Sequence, residues 1–103
     1  EVDEDGRIRD EDRYRYYHDH LSALLRARAE GADIRGYMAW SLMDNFEWGW
    51  GYSKRFGMMR VDYATLARTW KDSAYWYRET IRSRTVTPLE NIEELVETPP
   101  RSY

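Results

Sequence analysis

The sequence predicts an α/β fold in which a helix is followed by a buried strand, a long loop and a second helix. Three observations indicate it: apolar residues at helical spacing before Gly31, a short apolar run after it, and helical spacing again beyond position 70. A helix that leads directly into a buried strand is half of a βαβ unit, so we expect the strand to belong to a parallel sheet.

The first helix is expected between positions 11 and 30. Its apolar side chains recur at helical spacing: Tyr14, Tyr17, Leu21 and Leu24 or Leu25. Asp10 is a suitable N-cap and Gly31 a suitable stop. His18 and His20 lie two positions apart and therefore point about 200° away from each other, so they cannot share a metal ion. No metal site and no cofactor are predicted.

The strand is expected at residues 34–42. The run is short, which favours a strand over a helix, and largely apolar, which favours burial on both faces. A long polar and aromatic loop follows it, and residues 56–63 are expected to return as a short hairpin or irregular strand. The predicted closing helix covers residues 71–82. Its apolar positions are Trp70, Ala74, Tyr77 and Ile81. Lys71 is unfavourable at a helix N-terminus, so we expect a carboxylate from elsewhere in the chain to hold it.

The residues after position 84 are predicted to form a separate C-terminal tail, so that the chain divides into 1–84 and 85–103. β-branched residues and Pro88 favour an extended start, and one or two helical turns are expected around Ile92 and Leu95 before the two prolines at 99 and 100. We expect this acidic tail to be mobile or to lie on the surface.

Composition excludes several classes of partner. The net charge is −3, and Lys and Arg are scattered, which leaves no footprint for nucleic acid. No apolar run reaches membrane-spanning length and no signal peptide opens the sequence. Cysteine is absent, which excludes disulfides and is typical of a cytoplasmic protein. Aromatic residues make up 16% of the chain, most of them Tyr and Trp, and favour a binding surface.

Positions 44–55 combine carboxylates with Trp and Tyr in a way that suits sugar recognition. A pyranose ring presents C–H groups that pack on an indole face and hydroxyl groups that bond to a carboxylate. Glu47 next to Trp48 supplies both kinds of contact.

Several passages carry a resemblance to a known family. Residues 40–48 read WSLMDNFEW, residues 51–57 read GYSKRFG, and VDY at 61–63 and RTWKDSA at 68–74 follow. Together they resemble the C-terminal signature of the family-one glycoside hydrolases, the β-glucosidase family, over about three quarters of the chain. The resemblance implies the last portion of a (β/α)8 TIM barrel: a helix, the final barrel strand, a long active-site loop and the closing helix.

The family implies roles for five residues. Trp40 matches the platform beneath the sugar, Glu47 the carboxylate that binds hydroxyls of the glycone, and Trp48 the indole beside it. Phe56 matches an aromatic residue that closes the pocket, and Trp50 is expected at its mouth as an aglycone contact. The substrate implied is an unphosphorylated β-glycoside, such as a terminal β-D-glucoside.

The catalytic pair itself is missing from these residues. A retaining glycosidase needs an acid/base and a nucleophile about 5–5.5 Å apart, and the family carries them in N-E-P and T-E-N-G motifs. Neither motif occurs here, so we expect both carboxylates upstream, on the remaining part of the same barrel. No residue of this chain is predicted to be catalytic, and the chain alone is expected to be inactive.

Alternatives remain open from the residues themselves. Trp40 fits a plain core position, and Glu47 fits a structural carboxylate paired with Lys54 or Arg55, whereas Asp44 and Asn45 are expected to brace the loop. Two other classes of function also stay open. The chain fits a non-catalytic carbohydrate-binding fragment, since the residues present would contact sugar without breaking a bond. It also fits an assembly fragment that completes a barrel with another chain, because a strand with two free edges invites pairing.

Overall fold

A computed structural model describes the whole chain, residues 1–103. It has three α-helices: α1 Glu11–Ala29, α2 Asp72–Ser83 and α3 Ile92–Leu95. It has two antiparallel strands, β1 Met59–Val61 and β2 Arg68–Trp70. Single 3₁₀ turns lie at Trp48–Trp50 and Leu89–Asn91. None of the helices combines the length and apolar character that a membrane crossing requires.

The first helix forms where it is predicted, and its inner face carries the buried Tyr14 and Tyr17. Asp10 occupies the N-cap position as predicted, but its side chain makes no capping bond to α1. Its Oδ1 instead accepts a hydrogen bond of 2.8 Å from the backbone N–H of Ser73, in the first turn of α2. First-turn amides have no partner within their own helix, so Asp10 caps α2 and joins the two helices at their N-termini.

The closing helix also forms as predicted, but it buries a different face. Tyr75 and Trp76 are completely buried, whereas Ile81 is 62% exposed. Ala74 and Tyr77 are only half-buried. The predicted apolar face instead lines an open groove with Leu42 and the neighbouring hairpin.

A small core joins the helices to the residues after position 84. Its buried members are Tyr14, Tyr17, Met58, Trp76 and Ile92. The Trp76 indole N–H also donates to the Thr87 carbonyl at 2.9 Å. The segment 85–103 therefore packs on α2 and supplies a core side chain.

An ion cluster around the buried Arg7 fastens the N-terminal segment to the same helices. The Arg7 guanidinium donates to Asp72 of α2 at 2.8 Å and to Glu93 of α3 at 2.9 Å. The Arg7 side chain is 7% exposed, so the guanidinium is taken out of water but is paired on two sides. Three separate parts of the chain meet at this one cation.

The predicted strand at 34–42 is wrong as a strand of this chain. The segment has no regular secondary structure, and its backbone bonds to the hairpin only at its end, through Ser41 and Leu42. Met38 is 97% exposed and Leu42 56% exposed. A strand that is apolar on both faces needs sheet neighbours and covering helices. Here Tyr37 and Ala39 pack against the core of the helices, but residues 34–40 have no strand beside them, so Met38 on the other face stays exposed. Only 17 of the 103 residues are buried.

Residues 56–63, predicted as a short hairpin or irregular strand, contain one strand, β1, and the hairpin is completed outside the predicted range. The partner of β1 is β2, with Met59 opposite Trp70 and Val61 opposite Arg68. The turn between the strands is closed by Asp62, whose carboxylate accepts from the backbone N–H of Ala64 at 2.9 Å. The hairpin lies between the loop at 41–57 and α2.

Candidate functional site

The backbone of the loop is fixed at both of its ends. Met58 and Met59 donate their N–H groups to Ser41 and Leu42, each at 2.9 Å, and Asp44 donates back to Met59 at 3.0 Å. Gly57 is required at this crossing, because the Cβ of any other residue would overlap the backbone of Met43 and Asp44. The first residues of the loop are therefore hydrogen-bonded to the residues that follow it, at the start of β1.

Asp44 is the centre that braces the loop, as predicted. Its side chain is completely buried and binds Lys71 and Arg55, both at 2.9 Å. It also accepts from the backbone N–H groups of Gly57 at 3.1 Å and Val61 at 3.3 Å. The prediction that a carboxylate holds Lys71 is confirmed, and that carboxylate is Asp44.

Burial and ion pairing have opposite effects on the pKa values of Asp44 and Lys71. Burial by itself raises the pKa of Asp44, but the hydrogen bonds from Lys71 and Arg55 outweigh burial and hold the pKa below its ordinary value. Burial lowers the pKa of Lys71, and its bond to Asp44 offsets part of that effect. The lowered pKa keeps the Asp44 carboxylate ionised at neutral pH.

Trp40 and Glu47 meet across the loop. The indole N–H of Trp40 donates to Glu47 Oε1 at 3.3 Å, while 66% of the Trp40 residue remains exposed. The Trp40 carbonyl accepts from the Tyr17 hydroxyl at 2.9 Å. Burial raises the pKa of Tyr17 to about 12, so this hydroxyl keeps its proton. Trp40 is thus held at its backbone by α1 and leaves its ring accessible.

Glu47 is buried at 7% exposure and yet forms no salt bridge. The alternative in which Glu47 pairs with Lys54 or Arg55 is wrong: Arg55 binds Asp44, and the Lys54 ammonium lies 5.3 Å from the Trp50 ring centre. Trp40 makes the one side-chain hydrogen bond that Glu47 receives. Because an ionised carboxylate can accept about four hydrogen bonds, most of the capacity of Glu47 is left for other donors.

The aromatic residues around Glu47 form a connected group. The Phe46 ring lies 6.4 Å from Trp48 and 5.4 Å from Tyr52, and Tyr52 lies 4.7 Å from Tyr63, all as centroid distances in edge arrangements. The Arg55 guanidinium covers the Tyr63 ring at 4.5 Å. This group connects Trp48 to the cation that binds Asp44.

The five residues predicted for the site are placed in two groups. Trp40 and Phe56 line one groove of about 500 Å³ beside α1, and Glu47 is bonded to Trp40. Trp48 and Trp50 lie on the 3₁₀ turn that follows Glu47, where they are 82% and 63% exposed. No hydrogen bond joins either indole to the first group.

Two residues of the site were missed from the sequence. Tyr17 was assigned only to the core face of the first helix, but it also holds the Trp40 carbonyl. Arg13 was not assigned to the site, but it donates to the Arg55 carbonyl at 2.6 Å and lines the groove. Helical spacing indicates which face is buried and carries no information on which loop that face contacts. No cluster of His, Asp or Glu side chains is arranged to hold a metal ion.

Comparison with known proteins extends these observations. Residues 1–86 match the family described as glycosyl hydrolase family 1. The bifunctional β-D-glucosidase/β-D-fucosidase of Bifidobacterium breve is 57% identical over 83 residues, which cover 79% of this chain and 18% of that protein. Beta-glucosidase A of Thermotoga maritima is 49% identical over 82 residues, covering 80% and 18% respectively.

A solved structure shows the same arrangement. The family 1 β-glucosidase from Thermotoga maritima superposes with a TM-score of 0.82 at 46% identity, over 84% of this chain and 20% of that one. The chain thus spans about a fifth of the length of the relatives that it matches.

The fold and the site define the class of protein. The arrangement of helices, loop and hairpin is that of a portion of a (β/α)8 barrel, and its loop places aromatic side chains around a buried carboxylate. With residues 1–86 matched, the chain belongs to glycosyl hydrolase family 1, a β-glycosidase family.

Proposed function

We propose that this chain is the sugar-binding portion of a retaining β-glycosidase that acts on unphosphorylated terminal β-glycosides. It supplies the final strand, the active-site loop and the closing helix of a (β/α)8 barrel, and the acid/base and the nucleophile lie upstream on the rest of that barrel. Relatives named β-glucosidases and a β-D-glucosidase/β-D-fucosidase support the reaction class.

The observation that carries this proposal is the pair formed by Trp40 and Glu47. The indole fixes one carboxylate oxygen at 3.3 Å and keeps its own ring largely exposed. A sugar on the Trp40 face would find in Glu47 a buried acceptor that no cation neutralises. Each bond from a sugar hydroxyl to an ionised carboxylate is worth about 1.5–3 kcal/mol.

The other predicted residues have supporting roles. Phe56 lines the same groove as Trp40 and restricts access to it. Trp48 and Trp50, exposed beyond Glu47, become contacts to the sugar and to the aglycone once the barrel closes around them.

A chimaera tests the site directly. The segment of the Thermotoga maritima β-glucosidase that matches this chain is replaced by the chain, and hydrolysis of an aryl β-glucoside is measured. We expect Glu47→Ala to lower kcat/KM by at least about tenfold, the equivalent of one lost charge-assisted bond. Its melting temperature should change little, because Glu47 has a single side-chain partner in the chain.

Glu30→Ala is the matched control, since Glu30 is exposed at the end of α1 and its side chain makes no hydrogen bond. It should leave both kcat/KM and melting unchanged. An unaltered kcat/KM in Glu47→Ala, together with a clear loss of stability, would show that Glu47 is structural and would overturn the proposal.

A second function is favoured by one specific observation, the exposure of Met38 and Leu42 in the segment 34–42. An assembly fragment without catalysis would bury these side chains by inserting between strands of another chain. An assembly fragment should associate with upstream barrel polypeptide without hydrolysis, whereas the sugar-binding portion of a glycosidase should restore hydrolysis.

A further inference from the structure

The outer edge of β2 is occupied by the last residues of the chain. Arg68 and Tyr103 exchange two backbone hydrogen bonds, each of 2.8 Å, and the Trp70 N–H donates to the Arg101 carbonyl at 2.9 Å. Thr69 and Ser102 face each other in an antiparallel bridge. Residues 101–103 therefore pair with β2 as a third strand, which we call the C-terminal strand.

Side chains hold the C-terminal strand in this position. Two guanidinium groups lie near the Trp70 ring, with Arg78 at 5.3 Å and Arg101 at 5.4 Å from its centroid. The Arg101 N–H donates to the Tyr75 hydroxyl at 2.8 Å, and the Arg101 side chain bonds to Glu97 at 2.6 Å. Arg101 is thus bound through its backbone and through its side chain.

The C-terminal strand lies outside the part of the chain that matches the family. The match ends at residue 86, so this pairing is a feature of the present chain and not of the matched region. An edge strand with unpaired N–H and C=O groups is a template for strands of other chains. Covering it with an internal strand removes that template.

We propose that residues 101–103 are a built-in edge strand that binds the outer edge of β2 and closes it to strands from other molecules. The site that accepts them is made of the β2 backbone, the Trp70 ring and the Tyr75 hydroxyl. It recognises an extended peptide whose first residue is arginine, and in this chain that peptide is the C-terminal strand itself.

Amide hydrogen exchange on the 103-residue chain tests the proposal at single residues. The N–H groups of Arg68 and Trp70 bond to the C-terminal strand, whereas those of Asp62 and Lys71 bond within the hairpin and its flanks, to Ala67 and Met58. A chain shortened to end at Pro100 should exchange at Arg68 and Trp70 at least about tenfold faster, with Asp62 and Lys71 changed less than about twofold.

Two proline substitutions provide a matched pair. Tyr103→Pro removes an N–H that donates to Arg68, whereas the Ser102 N–H has no backbone acceptor. Ser102→Pro therefore removes no backbone bond and loses only the 3.4 Å contact between the Ser102 and Thr69 hydroxyls. We expect faster exchange at Arg68 in Tyr103→Pro alone. Unchanged exchange at Arg68 and Trp70 in the shortened chain would overturn the proposal. So would equal acceleration at all four amides, because that result means general unfolding.

Self-association tests whether the C-terminal strand closes the β2 edge to other molecules. The shortened chain should self-associate, measured by sedimentation at increasing concentration, and a peptide spanning residues 97–103 added in excess should reverse the association. Self-association that is identical in the full and shortened chains would remove the closing role.

Discussion

Asp44 is the residue on which the loop depends. Four donors converge on its completely buried carboxylate: two side-chain cations and two backbone N–H groups. One cation, Arg55, belongs to the loop itself, and the other, Lys71, lies at the start of α2. Loss of the carboxylate leaves the Lys71 ammonium buried without its partner, and an unpaired buried charge costs far more than the pair contributes.

We expect Asp44→Asn to lower the free energy of unfolding of the chain by about 3–5 kcal/mol. The asparagine keeps the shape of the side chain but brings an NH2 group towards cations that are themselves donors. Urea unfolding followed by tryptophan fluorescence measures the change. Asp33→Asn is the control, since Asp33 and Arg35 form an exposed pair and its loss should cost no more than about 0.5 kcal/mol.

The difference in unfolding free energy between wild type and Asp44→Asn should depend on pH in a defined direction. The pKa of Asp44 is lowered in the folded chain, so its stabilising effect is complete above the unfolded pKa of about 3.9 and is lost as the pH falls through the folded pKa. The gap between wild type and Asp44→Asn should therefore narrow only in acid. A gap that is already absent at pH 7 would contradict the role given to Asp44.

Asp10 links two elements, because it precedes α1 and caps α2. Its carboxylate accepts from the Ser73 N–H and hydroxyl and from Arg13. Burial raises the pKa of Asp10, and these bonds oppose that effect without cancelling it. The Asp10 carboxylate therefore joins the two helices: it caps α2 and pairs with Arg13 of α1, but makes no capping bond to α1.

Asp10→Ala should destabilise the chain by about 2 kcal/mol, the upper end of the range for a lost helix cap. Exchange of the first-turn amides of α2 should increase, while the amides of α1 stay protected. Asp12→Ala, an exposed first-turn change in α1 with no side-chain hydrogen bond, is the control. If α1 frays in Asp10→Ala and α2 does not, the capping assignment is wrong.

How far the sequence predicts these elements depends on the range of the contacts involved. Local signals sufficed for α1, for α2 and for the bond between Lys71 and a carboxylate, because helical spacing and dipole preference act within a few residues. The cap given by Asp10 crosses from position 10 to position 73, and pairing of β2 with Tyr103 crosses 35 positions. No local pattern reports such partners.

The candidate site shows the same division. The resemblance named Trp40 and Glu47, and the structure brings them to 3.3 Å. Their support by Tyr17 was not predictable, since a tyrosine on an apolar helix face looks the same whether its hydroxyl meets a loop or water. Assignment of substrate contacts to Trp48, Trp50 and Phe56 stays a prediction.

At the scale of the whole molecule, the chain has the shape of a slab rather than a sphere. Its extents are 47 × 36 × 19 Å and its radius of gyration is 14.8 Å, whereas a compact domain of this length has about 13 Å. Met38, Leu42 and Ile81 are exposed on it. The segment 34–42 failed as a strand because a sequence pattern indicates burial without stating which chain provides the cover.

The site can therefore work only once barrel strands cover the exposed segment. A pocket on a single unpaired segment lacks the support that holds catalytic geometry within about 0.5 Å. Covered on both sides, residues 34–42 would become the buried strand that their composition predicts.

Complementation measures this most directly. The Thermotoga maritima β-glucosidase is produced without the segment that matches this chain, and aryl β-glucoside hydrolysis is assayed for each piece alone and for the mixture. We expect no hydrolysis from either piece and clear activity on mixing, with exposed tryptophan fluorescence quenched as the segment is buried. Hydrolysis by the 103-residue chain alone, or a mixture that binds and remains inactive, would contradict the assignment of this chain as the sugar-binding part of a β-glycosidase barrel.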